Sequence, residues 1–239
     1  MKVTKGMLDE ELRGRFTVGR LLGSVLASEG PARVLLKLGR WAGLGGNIKG
    51  LDCDERTISS RHGGRDFRIR VYRPAQADGP LPGMLYIHGG GYLGGKPEEY
   101  HTIIRRLIEA SPCVVVSPDY RKAFEAPYPA AFDDCTDTLV WLRDNAVALG
   151  ARGDTFIVAG HSAGGGLTAA VSAWATDTDE VPIAFQMPVY PMIDDRPTAS
   201  NTDNDAPVWN SKANQLGWRT YLRVGSTSAC RKKCALGTR

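Results

Sequence analysis

Two stretches of this 239-residue chain hold residue types that could carry out acyl transfer. One is Gly160-His161-Ser162-Ala163-Gly164. It follows the apolar run Thr155-Phe156-Ile157-Val158-Ala159 and precedes the small-residue run Gly165 to Val171. That order predicts strand, sharp turn, helix, and Gly-x-Ser-x-Gly in such a setting is the pattern of a nucleophile elbow. A serine at so tight a bend takes a strained backbone conformation, and its neighbours two away must be nearly free of side chain. The result is an exposed Oγ at a helix N-terminus, where developing negative charge is favoured. The other stretch is His88-Gly89-Gly90-Gly91, directly after Met84-Leu85-Tyr86-Ile87. Attack of a serine on an ester carbonyl creates an oxyanion, and each main-chain N–H aimed at it is worth roughly 3–4 kcal/mol. Gly89 and Gly90, lacking Cβ atoms, could bring their N–H groups close, and Ala163 N–H would be a third donor. A flexible loop or a phosphate cradle is the alternative for a glycine run, but no Lys-Ser/Thr pair follows as in a P-loop.

The elements needed to position these stretches can be read in order. Residues 7 to about 44 predict helices, with Leu8, Leu12, Phe16, Leu21, Leu22, Val25 and Leu26, then Val34, Leu35, Leu38 and Trp41, at near-helical spacing. Periodicity alone leaves open whether they pack in the core or lie over a site as a cap. Residues 56–60 and 67–72, flanking His62-Gly63-Gly64, predict a hairpin whose second strand is half-buried. Residues 84–87 and 113–116 predict short buried strands. Residues 98–110 and 130–149 predict helices, with Pro129 opening the second. Residues 183–190 predict a further strand. Strands alternating with helices predict a mostly parallel α/β sheet covered on both faces, with ligands beyond the carboxyl ends of its strands. Segments 88–95, 118–121 and 160–165 fall at those ends.

Composition narrows the partners. The net charge is +4, but residues 230–239 hold Arg231, Lys232, Lys233 and Arg239 and no acid. The rest of the chain has 26 basic and 26 acidic residues, so no basic face for nucleic acid is expected. No apolar run approaches the roughly 20 residues needed to span a bilayer, and no export signal is read at the N-terminus. The five cysteines (53, 113, 135, 230 and 234) are odd in number and scattered, which predicts free thiols in a reducing cytoplasm. Cys230 and Cys234 could be half a metal site, but no second pair exists, so neither metal nor cofactor is assigned.

These motifs together resemble the hormone-sensitive-lipase-like (fold-3) branch of the α/β-hydrolases, a family of carboxylesterases. The matching residues are His88 to Gly91, Asp119-Tyr120-Arg121 running on to Pro127-Tyr128-Pro129-Ala130-Ala131 and Asp133-Asp134, the elbow at 160–165, and Tyr190-Pro191 with Asp194. The resemblance covers roughly residues 54–222. It implies a serine esterase acting on short acyl esters, with Ser162 as nucleophile, Gly89, Gly90 and Ala163 as oxyanion donors, and His88 and Gly91 completing the loop motif. It also implies a helical cap over residues 1–50, a hydrolase core over 51–224, and a structural pair formed by Asp119 and Arg121 behind the loop. Residues 225–239 read as an irregular basic tail.

The family's triad runs Ser, then Asp or Glu, then His. Here the four histidines are His62, His88, His101 and His161, and none follows Ser162. The family's acid lies after a later strand, and Asp194 occupies a different family position. The expectation is a chain shortened by truncation or frameshift, its final strands missing, with impaired esterase activity. An uncovered sheet edge would favour aggregation or homo-oligomers. A non-catalytic ligand-binding protein on the same scaffold, as in plant hormone receptors that keep the loop and serine, is the second reading. A lipase at membrane interfaces, resting on the amphipathic N-terminal helices, is the third; stable membrane association is not expected.

Overall fold

The computed structural model describes residues 2–63, 65–77 and 79–223. The residues expected to form the basic tail lie outside these. Short α1 (Glu10–Arg13) leads into α2 (Phe16–Leu26) and α3 (Glu29–Gly39), followed by β1 (Leu51–Ile58) and β2 (Phe67–Pro74). Then come β3 (Leu81–Ile87), α4 (His101–Ala110), β4 (Val114–Pro118), α5 (Ala130–Asn145), β5 (Ala151–His161) and α6 (Ala163–Thr178). β6 (Ile183–Val189), α7 (Ala199–Thr202) and α8 (Ser211–Leu222) complete the described chain.

The strands form one sheet in the order β1-β2-β4-β3-β5-β6. β1, β2 and β4 pair antiparallel, while β4, β3, β5 and β6 run parallel. The hairpin expected around residues 62–64 closes with Ile58 opposite Phe67, and its first strand lies earlier than expected, ending before residues 59–60. One apolar cluster, with Leu85, Ile87, Leu139, Phe156, Val158 and Leu167, fills the face under α5 and α6. A second, with Tyr72, Tyr86, Ile104, Ile108 and Val115, fills the face under α4. Because both faces are covered, β2 is more buried than its alternating sequence implies. Arg70 on that strand is 3% exposed and donates to Gly46 O at 2.7 Å and Asn47 Oδ1 at 3.1 Å.

The N-terminal helices do not enter this core along their full apolar stripe. Leu38 is 74% exposed and Trp41 72%, while Ala32 is buried and Leu26 and Leu36 pack on the core's edge. α2 sits on the segment after α7: a methyl group built on Gly23 would fall 2.1 Å from Pro207 O. α3 sits beside the glycine loop, since a methyl on Gly94 would fall 2.6 Å from a Leu36 methyl. A cavity of about 440 Å³ separates α3 from residues 119–125.

Asp119 and Arg121 are not paired with each other. Arg121 turns to the buried Asp134 of α5, with side-chain contacts at 2.7 and 3.0 Å and its own amide at 2.7 Å. Asp119 is held instead by Lys122 at 3.0 Å and Arg68 at 3.1 Å. The extended chain leaves β4 with α5 returning beneath residue 121, so the nearer carboxylate comes from 13 residues downstream.

Candidate active site

Parallel strands β3, β4 and β5 end side by side, which brings together the three segments read from sequence. β5 runs into Ser162, and α6 begins one residue later. Ser162 has φ 56° and ψ −118°, a conformation that strains any residue with a Cβ. The surroundings hold it there. Its amide donates to Val189 O at 3.0 Å, and its carbonyl accepts from Met192 N at 2.9 Å and Gly166 N at 3.0 Å. The flanking glycines are needed for space: a methyl on Gly160 would fall 2.5 Å from Gly164 O, and one on Gly164 2.1 Å from Ile87 O.

The glycine loop lies against this bend. A methyl on Gly89 would come 3.4 Å from Ser162 Cβ and 2.9 Å from His161 O. The Gly90 carbonyl accepts from Leu93 N and Gly94 N, both at 3.0 Å, closing the loop into a turn. Gly90 and Gly91 have φ 122° and 61°, which only glycine adopts freely. The Trp209 ring covers Gly91 so closely that a methyl there would sit 2.0 Å from Cη2. Ala163 is fully buried as the first residue of α6. The Gly89 amide faces the Tyr100 hydroxyl; burial pushes that phenol up to about 12, and the amide pulls against the rise.

Each histidine is engaged away from Ser162 Oγ. His161 Nδ1 lies 2.8 Å from Tyr86 Oη, and burial lowers its pKa. His101 Nε2 lies 3.1 Å from Tyr72 Oη. His62 Nε2 is 3.5 Å from Asp137 Oδ1. His88 is fully buried, with Nδ1 2.7 Å from Gly89 O and Nε2 3.2 Å from Lys122 Nζ. Asp194 is bound by Arg196 at 2.6 Å, which holds its carboxyl down to about 2. Among the described residues no histidine side chain bonds Ser162 and no cluster of three or more His, Cys, Asp or Glu could hold a metal ion.

Sequence reasoning missed Tyr100, Trp209 and Lys122, the residues that touch the loop from outside its own segment. Tyr100 was legible only as an apolar helix position. Trp209 and Lys122 carry no local signal, because their contacts arise from loops crossing in space.

A serine on a strained strand-to-helix bend, facing a glycine turn at the carboxyl edge of a parallel sheet, places the chain in the α/β class. A model of the alpha/beta hydrolase fold matches residues 84–235, and the chain belongs to that family. The carboxylesterase NlhH of Mycobacterium tuberculosis is 38% identical over 160 residues, 66% of this chain and 50% of the relative. An arylesterase of Saccharolobus solfataricus is 39% identical over 129 residues, 54% of this chain and 41% of its own. Among solved structures, a bacterial heroin esterase matches with a TM-score of 0.79 at 31% identity, over 94% of this chain and 71% of its own. The chain spans about half the length of the curated relatives it matches. No helix among the described residues is long and apolar enough to cross a membrane.

Proposed function

We propose that Ser162 is the nucleophile of a carboxylic-ester hydrolase for short acyl esters. Ser162 Oγ bonds to the ester carbonyl carbon, its proton passes to water in the described chain, and the alcohol leaves carrying a proton. Water then releases the acid from the acyl-enzyme. Gly90 and Ala163 N–H bind the oxyanion, with Gly89 N–H shared between it and Tyr100. His88 and Gly91 shape the loop. The observation that carries this reading is the strained Ser162 lying against Gly89, at 3.4 Å for a methyl built on the glycine. The carboxylesterase and arylesterase relatives support it. The chemistry asks for no cofactor. The free thiols Cys53, Cys113 and Cys135 fit a reducing, cytoplasmic setting.

Turnover by the 239-residue chain is slow on this reading, by several orders of magnitude against an esterase whose serine has a histidine base. Its four histidines are committed elsewhere, and a serine without a base is a poor nucleophile at neutral pH. The test is hydrolysis of p-nitrophenyl butyrate by the chain and by Ser162→Ala, with covalent labelling by a fluorophosphonate. A weak rate and labelling, both lost in Ser162→Ala, are expected. Labelling that survives the substitution would remove Ser162 from the chemistry. The histidine positions also favour a second reading, ligand binding without turnover. Thermal stabilisation by p-nitrophenyl butyrate with no Ser162-dependent product would select it.

A further inference from the structure

Behind the glycine loop lies a polar cluster that the proposed chemistry does not use: His88 and Tyr120 are buried, while Lys122 and Asp119 are partly covered at the edge of the cavity beside α3. The His88 ring presents its two nitrogens to partners of opposite kind, the Gly89 carbonyl at 2.7 Å and the Lys122 ammonium at 3.2 Å. A carbonyl only accepts and an ammonium only donates. The ring therefore satisfies both only when neutral, with its proton on Nδ1 and a lone pair on Nε2. Burial first, and the Lys122 charge second, keep the ring unprotonated.

Lys122 is equally over-determined. It has three ammonium protons and three acceptors: His88 Nε2, Asp119 Oδ1 at 3.0 Å, and Tyr120 O. Its Nζ also sits 4.1 Å from the centre of the Tyr120 ring. That ring stacks on His88 at 4.3 Å, and its hydroxyl donates to His88 O at 3.0 Å. Asp119 is tied in turn to Arg68 at 3.1 Å, and Arg68 to Glu98 at 3.0 Å. These are the charged groups facing the ring, from β2, from the segment after β4 and from the turn before α4.

In a trans peptide the C=O and N–H point in opposite directions. Fixing the Gly89 carbonyl on His88 Nδ1 therefore turns the Gly90 N–H away from the His88 ring. Gly95 closes the carbonyl side, since a methyl there would fall 2.3 Å from Gly89 O, while a methyl built on Gly89 would fall 3.4 Å from Ser162 Cβ. We infer that Lys122 is a positioning residue: by holding His88 as the Nδ1–H tautomer, it locks the Gly89–Gly90 peptide so that Gly90 N–H is presented to the oxyanion at Ser162. The inference rests on the esterase reading for its purpose, but the clamp itself is measurable without turnover.

The test has two arms on the full chain. In the first, histidine ring nitrogens are labelled with ¹⁵N and read by long-range ¹H–¹⁵N spectra from pH 5 to 9. The His62→Gln, His101→Gln and His161→Gln variants assign the signals. His88 is expected as the Nδ1–H tautomer with an unprotonated Nε2, unchanged across that range. An Nε2–H tautomer, or titration within the range, overturns the proposal. In the second arm, Lys122→Met is compared with the parent for the rate of fluorophosphonate labelling, in which Ser162 Oγ bonds to phosphorus and fluoride leaves. The rate is expected to fall at least tenfold, with His88 now titrating. A folded Lys122→Met chain that labels at the parent rate overturns the proposal. If that variant does not fold, the first arm decides alone. If the parent shows the expected tautomer but Ser162 never labels, the esterase reading fails and the clamp stands.

Discussion

Replacing Gly164 by alanine tests whether the elbow is held by backbone-to-backbone contact. The added methyl would lie 2.1 Å from Ile87 O, 2.5 Å from His88 O and 2.7 Å from Ile87 C. Carbon and oxygen settle at about 3.3 Å or more, so roughly 1 Å of movement is required. Every clashing atom belongs to the main chain of β3 or the glycine loop, and no side-chain rotation relieves it. Overpacking of this kind costs about 1–3 kcal/mol or more. Alanine's better helix propensity returns at most about 1 kcal/mol, and less in a first turn. The clash wins, with a net loss of about 2 kcal/mol. At about 2–4 °C per kcal/mol for a chain of this size, Tm should drop by about 4–8 °C in a circular dichroism melt. Gly39→Ala is the control: it makes the same chemical change at the end of α3, where a new methyl meets nothing within 4 Å. That variant should melt within a degree or two of the parent. If Gly164→Ala melts at or above the parent temperature, the close approach of α6 to β3 is not what fixes the bend.

Arg121→Met strands the Asp134 carboxylate, whose side chain is wholly buried, and should cost about 3–5 kcal/mol; an unchanged urea midpoint would count against the pairing. Stability should also fall with acid in two steps. Burial lowers the pKa of His88, His101 and His161, so below about pH 6.5 the unfolded chain binds protons that the fold refuses, and Tm declines from pH 7.5 to 5. Asp119, held down to about 2 against the desolvation that would raise it, contributes roughly 2 kcal/mol above its unfolded value near 3.8 and loses it as pH falls toward 2. A flat Tm between pH 7.5 and 5 would refute the first step. Phe185 is 58% exposed on β6, the last strand of the described sheet. Phe185→Lys should therefore reduce self-association in sedimentation velocity runs, and an unchanged profile would place any association elsewhere.

What was legible in the sequence is what the main chain decides locally. The strained serine between glycines, the run without Cβ atoms and the hairpin turn each constrain neighbours only a few residues apart, and residue types report such constraints directly. Partner choice across the sheet is different. The family resemblance implies a pair between Asp119 and Arg121, two apart in an extended segment. The fold overrules this by returning α5 under residue 121 and β2 beside residue 119. The N-terminal stripe shows the same limit from another direction. Leu38 and Trp41 keep helical spacing while remaining largely exposed, because periodicity records which residues share a face and not whether anything covers it. Lys122 is the sharpest case. In sequence it is one lysine in a polar stretch, which composition assigns to solvent. It becomes a largely covered ammonium, 13% exposed, only because β3 and β4 are adjacent and end together, placing His88 and Asp119 where its protons can be taken. A residue of that kind has no signature short of the sheet order itself.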